Sequence, residues 1–274
     1  MKTIVITGST RGIGRGLAEE FLKLGCNVVI SGRSSDTVAE TIMNLAKKYS
    51  PEQVHGCACD INKVTEIQAM WDQSKARFGQ IDYWINNAGM SIPRAHLVDS
   101  KSPDLKNIVA TNLTGVLLSN QIVLKGMLEQ DAGQIWNMEG FGSDGATQPG
   151  MVAYGATKRA VNYLNSALQK EVKGTNVMVN TLSPGIVVTE LLLGDYDLTS
   201  AEWQKSKKIF NILADTVETV APFLAKGVLA ATKSGTKVAW LTNFKAFRRF
   251  MGAAFNKRDL FKDYEINTEV SKVS

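Results

Sequence analysis

The sequence predicts an α/β fold: a doubly wound parallel sheet with helices on both faces. Three observations carry this. Short apolar, β-branched runs alternate with longer helical patterns along the chain. Alternation of that kind builds βαβ units, which close into a parallel sheet covered on both sides. The composition agrees: 44% of the 274 residues are hydrophobic, 21% are charged and only 6 are Pro. Those proportions exclude a disordered chain, a collagen-like repeat and a coiled coil.

The elements follow in order. Strand 3–7 is β-branched throughout and leads through a glycine-rich turn into helix 14–24, where Leu17, Ala18, Phe21 and Leu22 give the apolar face. Strand 27–31 precedes helix 37–48, strand 53–58 precedes helix 64–78, and strand 81–85 precedes a long helix, 105–129. Strands 134–138 and 177–182 flank helix 152–171, and helix 199–213 leads to a last strand, 237–241. No Pro/Ser-rich linker and no internal repeat interrupts the pattern, so residues 1–274 read as one domain. Ligands of such sheets bind beyond the carboxyl ends of the strands, where the strand order reverses.

Charge and cysteine usage narrow the setting. The formal net charge is +5, but residues 226–274 carry ten Lys and Arg against four Asp and Glu. The body is near neutral and the tail is basic. Cys26, Cys57 and Cys59 are too few and too odd in number for a disulfide framework, which points to a reducing compartment. His55 and His96 have no metal-ligand spacing with these cysteines, so no metal is expected. No run of about 18 unbroken apolar residues is present. Met1 is followed almost at once by strand 3–7, leaving no room for a leader. The expected location is cytoplasmic, or an organelle interior if a transit peptide has been removed.

The first site is the turn after strand 3–7: Thr7, Gly8, Ser9, Thr10, Arg11, Gly12, Ile13 and Gly14. Glycines at this spacing permit a tight turn and let backbone N–H groups approach a pyrophosphate at the helix N-terminus. Dinucleotide binding is expected. Its choice is read after strand 27–31, where a protein selecting NAD places an acid for the ribose 2′-hydroxyl. Here Gly32 stands in that place, followed by Arg33 and Ser34. Arg33 and Arg11 suit a 2′-phosphate by charge and fork geometry, so NADPH is the expected cofactor.

The second site lies on helix 152–171. Tyr154 and Lys158 are four residues apart, so both project from one face. A tyrosine titrates near ~10. An adjacent ammonium favours the phenolate, lowers that value and makes the tyrosine a usable acid.

The glycine-loop spacing, Asn86-Asn87-Ala88-Gly89, the Tyr154-Gly155-Ala156-Thr157-Lys158 run and Ser183-Pro184-Gly185 together resemble the short-chain dehydrogenase/reductase family over about residues 1–190. The resemblance implies a Rossmann-type sheet of seven parallel strands, hydride transfer with NAD(P) and a homodimer or homotetramer. It implies that Lys158 orients the nicotinamide ribose and that Asn112 completes a proton relay. Asp60 is then placed to meet the adenine and Thr189 the nicotinamide carboxamide. Ile61, Asn87, Ala88, Gly89, Pro184, Gly185 and Val187 complete the expected cofactor contacts. The segment after Gly185 becomes a substrate lid, about 190–216.

The serine departs from the family pattern. Most members carry a Ser-Ser pair at the end of the strand before the tyrosine helix. Here Glu139 and Gly140 occupy it, and Phe141 stands thirteen residues before Tyr154. Ser143 is the nearest hydroxyl, eleven residues before Tyr154, and is expected to polarise the carbonyl. The alternatives are a turn residue of Ser-Asp-Gly and a site without a catalytic serine.

The departure is informative in itself. Asn137-Met138-Glu139-Gly140-Phe141-Gly142-Ser143-Asp144-Gly145, the run from Leu182 to Leu192 and the run from Trp240 to Phe247 resemble a narrower group, the chlorophyll(ide) b reductases. These reduce the 7-formyl group of chlorophyll b to hydroxymethyl, so the resemblance implies a chlorophyll-type macrocycle as substrate. Reduction of another bulky apolar aldehyde or ketone is the alternative, and a non-catalytic NADPH-binding regulator the second. Lid residues Leu191, Leu192, Leu193, Tyr196, Trp203, Phe210 and Ile212 either floor a pocket for a flat macrocycle or, for at least half of them, form the core of the lid.

In the tail, about 243–274, Phe244, Phe247 and Met251 recur at helical spacing with Phe250 and Phe255 nearby, among Lys245, Arg248, Arg249, Lys257 and Arg258. A basic amphipathic helix of this kind lies on an anionic bilayer, or it packs its aromatic side on the domain or on a second subunit. Nucleic acid is not an expected partner, because no reading motif accompanies the charge.

Overall fold

The computed structural model describes residues 1–194, 196–253 and 258–262. Seven strands form one all-parallel sheet: β1 (Thr3–Ile6), β2 (Asn27–Gly32), β3 (Val54–Ala58), β4 (Tyr83–Asn86), β5 (Gly133–Met138), β6 (Val177–Ser183) and β7 (Lys237–Ala239). Their order is β3-β2-β1-β4-β5-β6-β7. The order reverses between β1 and β4, where Ile4, Val5 and Ile6 pair with Tyr83, Trp84 and Ile85. The connecting helices are α1 (Gly12–Lys23), α2 (Ser35–Ala46), α3 (Val64–Phe78), α4 (Ser102–Val109), α5 (Gly115–Glu129), α6 (Val152–Glu171), α7 (Glu190–Leu193), α8 (Ala201–Leu213), α9 (Val217–Ala230) and α10 (Asn243–Gly252).

The alternation of side chains along each strand builds two cores. Ile4, Ile6, Val28, Ile30, Ile85 and Trp136 face Leu17 and Phe21 of α1, Leu45 of α2 and Leu224 and Val228 of α9. On the other face Val5, Val29, Trp84, Ile135 and Val179 meet Met70 and Trp71 of α3, Val123 and Met127 of α5 and Leu168 of α6. The run from Ser102 to Glu129 is long and apolar enough by composition to cross a membrane. Here α5 spends Val123 and Met127 on this core.

Three differences from the expected elements have clear causes. The expected helix 105–129 begins at Ser102 and is interrupted by a π-turn, Ala110–Thr114. Helix α9 has no counterpart among the expected elements, and it carries Pro222 and Gly227, two residues that locally disfavour a helix. Glycines let it pack: a Cβ on Gly227 would stand 2.5 Å from Val238, and one on Gly16 of α1 would strike Val217. Strand β7 stops at Ala239 rather than 241, and Gly185, at φ +72°, comes so close that a Cβ there would meet Leu241 at 2.5 Å.

The lid has a core of its own. Trp203, Phe210 and Phe261 are buried together with Val188 and Ala214, and Tyr196, Leu192 and Leu193 pack against them. These lid aromatics therefore hold the lid together; Leu191 stays exposed.

Helix α10 is inverted relative to an ordinary surface helix. The buried carboxylate of Asp215 accepts from Trp240 Nε1 at 2.6 Å and pairs with Arg249 and Arg258, each at 2.7 Å. Burial alone would raise its pKa, but these donors outweigh that and hold it below the usual carboxylate range. Arg249 thus turns inward, while Phe244 and Phe247 are 71% and 62% exposed and Phe250 and Met251 stand out beside them. Packing of the aromatic side on the domain does not occur among the described residues. Phe255 and Lys257, assigned to the same tail, lie outside the described residues.

Candidate active site

The carboxyl ends of β1, β2, β4, β5 and β6 converge at the reversal of strand order. The glycine turn after β1 is locked from below by polar side chains. Ser9 Oγ donates to the Ile6 carbonyl at 2.7 Å and accepts from Ser31 N at 2.9 Å, tying the loop to β2. Thr7 Oγ1 accepts from the backbone N–H groups of Asn87 and Ala88, each at 2.9 Å. Asn87 Nδ2 in turn donates to the carbonyls of Thr7 and Gly8. Gly8 and Gly12 adopt positive φ (+62° and +55°), and a Cβ on Gly8 would stand 2.9 Å from Ala88 Cα. Helix α1 then begins with no side-chain cap and no acid in its first turn. Its leading N–H groups and positive dipole end remain for an anion.

Around this cradle, Gly32 ends β2 against Thr10, and Arg33 is exposed just beyond it. Ser34 caps α2, accepting from Thr37 N. Asp60 Oδ1 caps the turn after β3 by accepting from Asn62 N at 3.0 Å, with Ile61 buried beside Gly115. Pro184 and Gly185 follow β6 directly, Val187 bridges to Asp215, and Thr189 lies over Gly12. Arg11 forms an exposed ion pair of 2.7 Å with Glu190 of α7, linking the cradle to the start of the lid. Arg33 is left as the cation nearer the end of β2.

The reducing constellation is assembled by α6, the π-turn and the ends of β4 and β5. Lys158 is only 6% exposed, and its Nζ donates to the Met138 carbonyl at 3.2 Å and lies 5.8 Å from the Tyr154 ring centre. Burial pushes its pKa down to about 8, against the pull of nearby Glu139. Glu139 itself is buried, paired with Lys237 at 2.6 Å and accepting from Asn162 at 2.8 Å.

Asn112 sits in the π-turn, where the widened backbone turns its amide to the loop after β4. Its Nδ2 donates to the Met90 carbonyl and its Oδ1 accepts from Met90 N, both at 2.8 Å. Thr157 Oγ1, 3.5 Å from Asn112 Nδ2, donates to the Tyr154 carbonyl at 2.7 Å. A Cβ on Gly89 would stand 3.4 Å from Asn112 Oδ1 and 3.9 Å from Lys158 Nζ. Tyr154, Lys158, Asn112 and Gly89 therefore share one small volume.

Ser143 is close by but turned locally. It is buried, its hydroxyl donates to the Gly140 carbonyl, and it accepts from Gly140 N at 3.0 Å. Arg159 Nη1 holds its carbonyl at 2.9 Å, so the loop is fastened to α6. Gly140 matters more than the sequence suggested. A Cβ there would stand 2.5 Å from the Tyr154 phenol oxygen and 3.2 Å from Lys158 Cε. The sequence reading also passed over Thr157 and the Met138 carbonyl; backbone acceptors carry no residue signature.

Residues 2–195 match the family model described as short chain dehydrogenase. The chain belongs to the short-chain dehydrogenase/reductase family. It is 37% identical over 265 residues to a chlorophyll(ide) b reductase of Oryza sativa subsp. japonica, covering 93% of this chain and 76% of that protein. To the Arabidopsis thaliana chlorophyll(ide) b reductase it is 38% identical over 255 residues, with 90% and 72% covered. Both relatives are named chloroplastic. Among solved structures it superposes on ElxO with NADP bound at a TM-score of 0.75 and 26% identity, covering 87% of this chain and 97% of that one. This short-chain enzyme is thus an NAD(P)-dependent reductase similar to chlorophyll(ide) b reductases. The cradle and the buried lysine fit the nicotinamide cofactor that its family uses.

Proposed function

We propose that the protein reduces the 7-formyl group of a chlorophyll(ide) b-type macrocycle to hydroxymethyl, with NADPH as reductant. The observation that carries this reading is the similarity to two chlorophyll(ide) b reductases over nine-tenths of the chain. NADPH is favoured because β2 ends in Gly32 with Arg33 behind it, so no carboxylate stands where a 2′-phosphate would lie. A location in a plastid stroma or in the cytoplasm is compatible with this chemistry. Contact with an anionic bilayer through α10 would bring the enzyme to an apolar pigment, and we retain a homo-oligomer as its assembly.

The bound nicotinamide supplies the hydride. Tyr154 gives its phenolic proton to the carbonyl oxygen as charge develops there. The Lys158 ammonium, held by the Met138 carbonyl, makes the phenol more acidic and orients the ribose. Asn112, fixed by Met90, positions the proton relay that refills the tyrosine. Ser143 swings from Gly140 to polarise the carbonyl oxygen. Thr7 to Gly14, Arg33, Ser34, Asp60, Ile61, Asn87 to Gly89, Pro184, Gly185, Val187 and Thr189 form the cofactor's bed.

The test is NADPH and NADH consumption against a panel of carbonyls that includes chlorophyll b and chlorophyllide b, with pigment absorption followed in parallel. Loss of the formyl spectrum with NADPH supports the reading. Turnover of other aldehydes alone would replace the substrate, cofactor binding without any turnover would make the protein a regulator, and equal dissociation constants for the two cofactors would remove the role of Arg33. Tyr154→Phe should abolish turnover and leave cofactor affinity nearly unchanged.

A further inference from the structure

The loop after β4, residues 90–100, faces Tyr154 across a narrow cleft. Ser91, Ile92 and Pro93 line one side, and Met151 and Tyr154 line the other. Arg94 stands in the middle of this loop, at the level of Gly150, where a Cβ would lie 3.5 Å from Arg94 Cβ. Its guanidinium carbon stands over Tyr196 of the lid, 4.4 Å from the ring centre. Arg94 therefore ties the loop whose neighbouring residues line the cleft to the lid.

Arg11, Arg77, Arg249 and Arg258 each meet a carboxylate. Arg94 meets none among the described residues, and its Nε is buried with no hydrogen-bond acceptor. A buried N–H donor without an acceptor is destabilising, and such groups cluster where a ligand supplies what is missing. A guanidinium over an aromatic ring is held there by the ring's negative face, and its planar fork of N–H donors suits a two-oxygen anion.

We propose that Arg94 is the anchor for a carboxylate carried by the carbonyl substrate, gripping it on the lid side of Tyr154. The inference rests on the proposed function and deepens it. Chlorophyllide b carries a free propionate, whereas chlorophyll b carries the same group as an ester, so the free acid is the preferred substrate. Tyr196 lies against the guanidinium, which links lid position to carboxylate binding.

The test separates this from the reduction itself. Chlorophyllide b and its methyl ester are compared as substrates, and protoporphyrin and its dimethyl ester, which carry no formyl group, as ligands read by quenching of tryptophan fluorescence. Arg94→Gln should raise KM for the free acid by about tenfold or more, as loss of a charge-assisted hydrogen bond does. Turnover number, NADPH affinity and ester binding should stay within about twofold. Arg94→Lys should keep part of the preference, and it serves also if the glutamine variant melts early. Equal loss for acid and ester would make Arg94 a structural residue and overturn the inference, as would no loss for either. Discrimination of the porphyrin acid through Arg94 without turnover of any formyl pigment would uphold the anchor and reject the proposed reaction. Reduction of both pigments with no effect of Arg94 would do the reverse.

Discussion

Lys158 is a charged group held where charge is disfavoured. Its pKa of about 8 in the fold lies below the ordinary 10.5, so the unfolded chain binds more protons between those values. The fold therefore carries the full penalty below about pH 8 and is relieved of it as pH rises toward 10.5. That penalty is on the order of 3 kcal/mol, offset by about 1 kcal/mol from the bond to Met138. Lys158→Met should abolish turnover and yet stabilise the cofactor-free protein at pH 7 by roughly 2 kcal/mol, a gain that vanishes near pH 10. Thermal denaturation at both pH values checks this. Ser143 is the contrasting case. If its hydroxyl leaves Gly140 to meet the substrate oxygen, Ser143→Ala should lower kcat by ~10²–10³ with cofactor affinity unchanged. Near-normal kcat would make it a turn residue. The difference in legibility between the two has a plain cause. Helical spacing aligns Tyr154 and Lys158 whatever surrounds them. Ser143 follows a loop whose Gly142, at φ +91°, comes so close that a Cβ would meet Gly155 Cα at 2.6 Å, and packing chooses that path.

At the scale of elements, α10 shows what an amphipathic pattern leaves open. Phe244, Phe247 and Met251 share a face by spacing alone, but spacing does not say whether that face looks in or out. Asp215, on the segment between α8 and α9, decides it by drawing in Arg249 and Arg258. An outward apolar face beside exposed Arg248 suits an anionic bilayer. The protein should sediment with vesicles rich in anionic lipid and less with neutral ones, and Phe244→Ser with Phe247→Ser should leave it in the supernatant with turnover of a soluble aldehyde intact. Equal sedimentation of the double variant would point away from this face. Helix α9 was hidden for a related reason: Pro222 and Gly227 argue locally against a helix, and the packing of α9 on α1 and the sheet overrides them.

For the molecule as a whole, the doubly wound parallel sheet and a site at its carboxyl edge were readable because alternating strands and helices leave few ways to close a parallel sheet. The buried amides beneath the site were not. Asn137 accepts from Asn86 at 2.8 Å and from Asn120 at 2.9 Å, and donates to Asn165 at 2.7 Å. Asn165 continues to Thr181 on β6, and Ser119 and Trp84 close on Asn86. The network joins β4, β5 and β6 to α5 and α6, and its residues are scattered over these five elements. Asn137→Ala would strand three side-chain amides at once. At about 1–3 kcal/mol for each unsatisfied group, the denaturation midpoint should fall by an amount equivalent to at least ~3 kcal/mol.

The π-turn that holds Asn112 has a consequence for chain length. A π-turn contains one residue more than the α-turn it replaces, so the surplus is confined to Ala110–Thr114 while α4 and α5 keep their own faces. Removing Thr111 should let the backbone close as an unbroken α-helix with Val123 and Met127 still on the sheet. A 273-residue protein would then melt as a folded domain and reduce nothing, since the amide at the former position 112 would no longer reach Met90. Helicity and melting temperature set beside turnover would read this directly, and loss of fold together with activity would refute it. Length, rather than side-chain identity, would there be the difference between an enzyme and an inert fold.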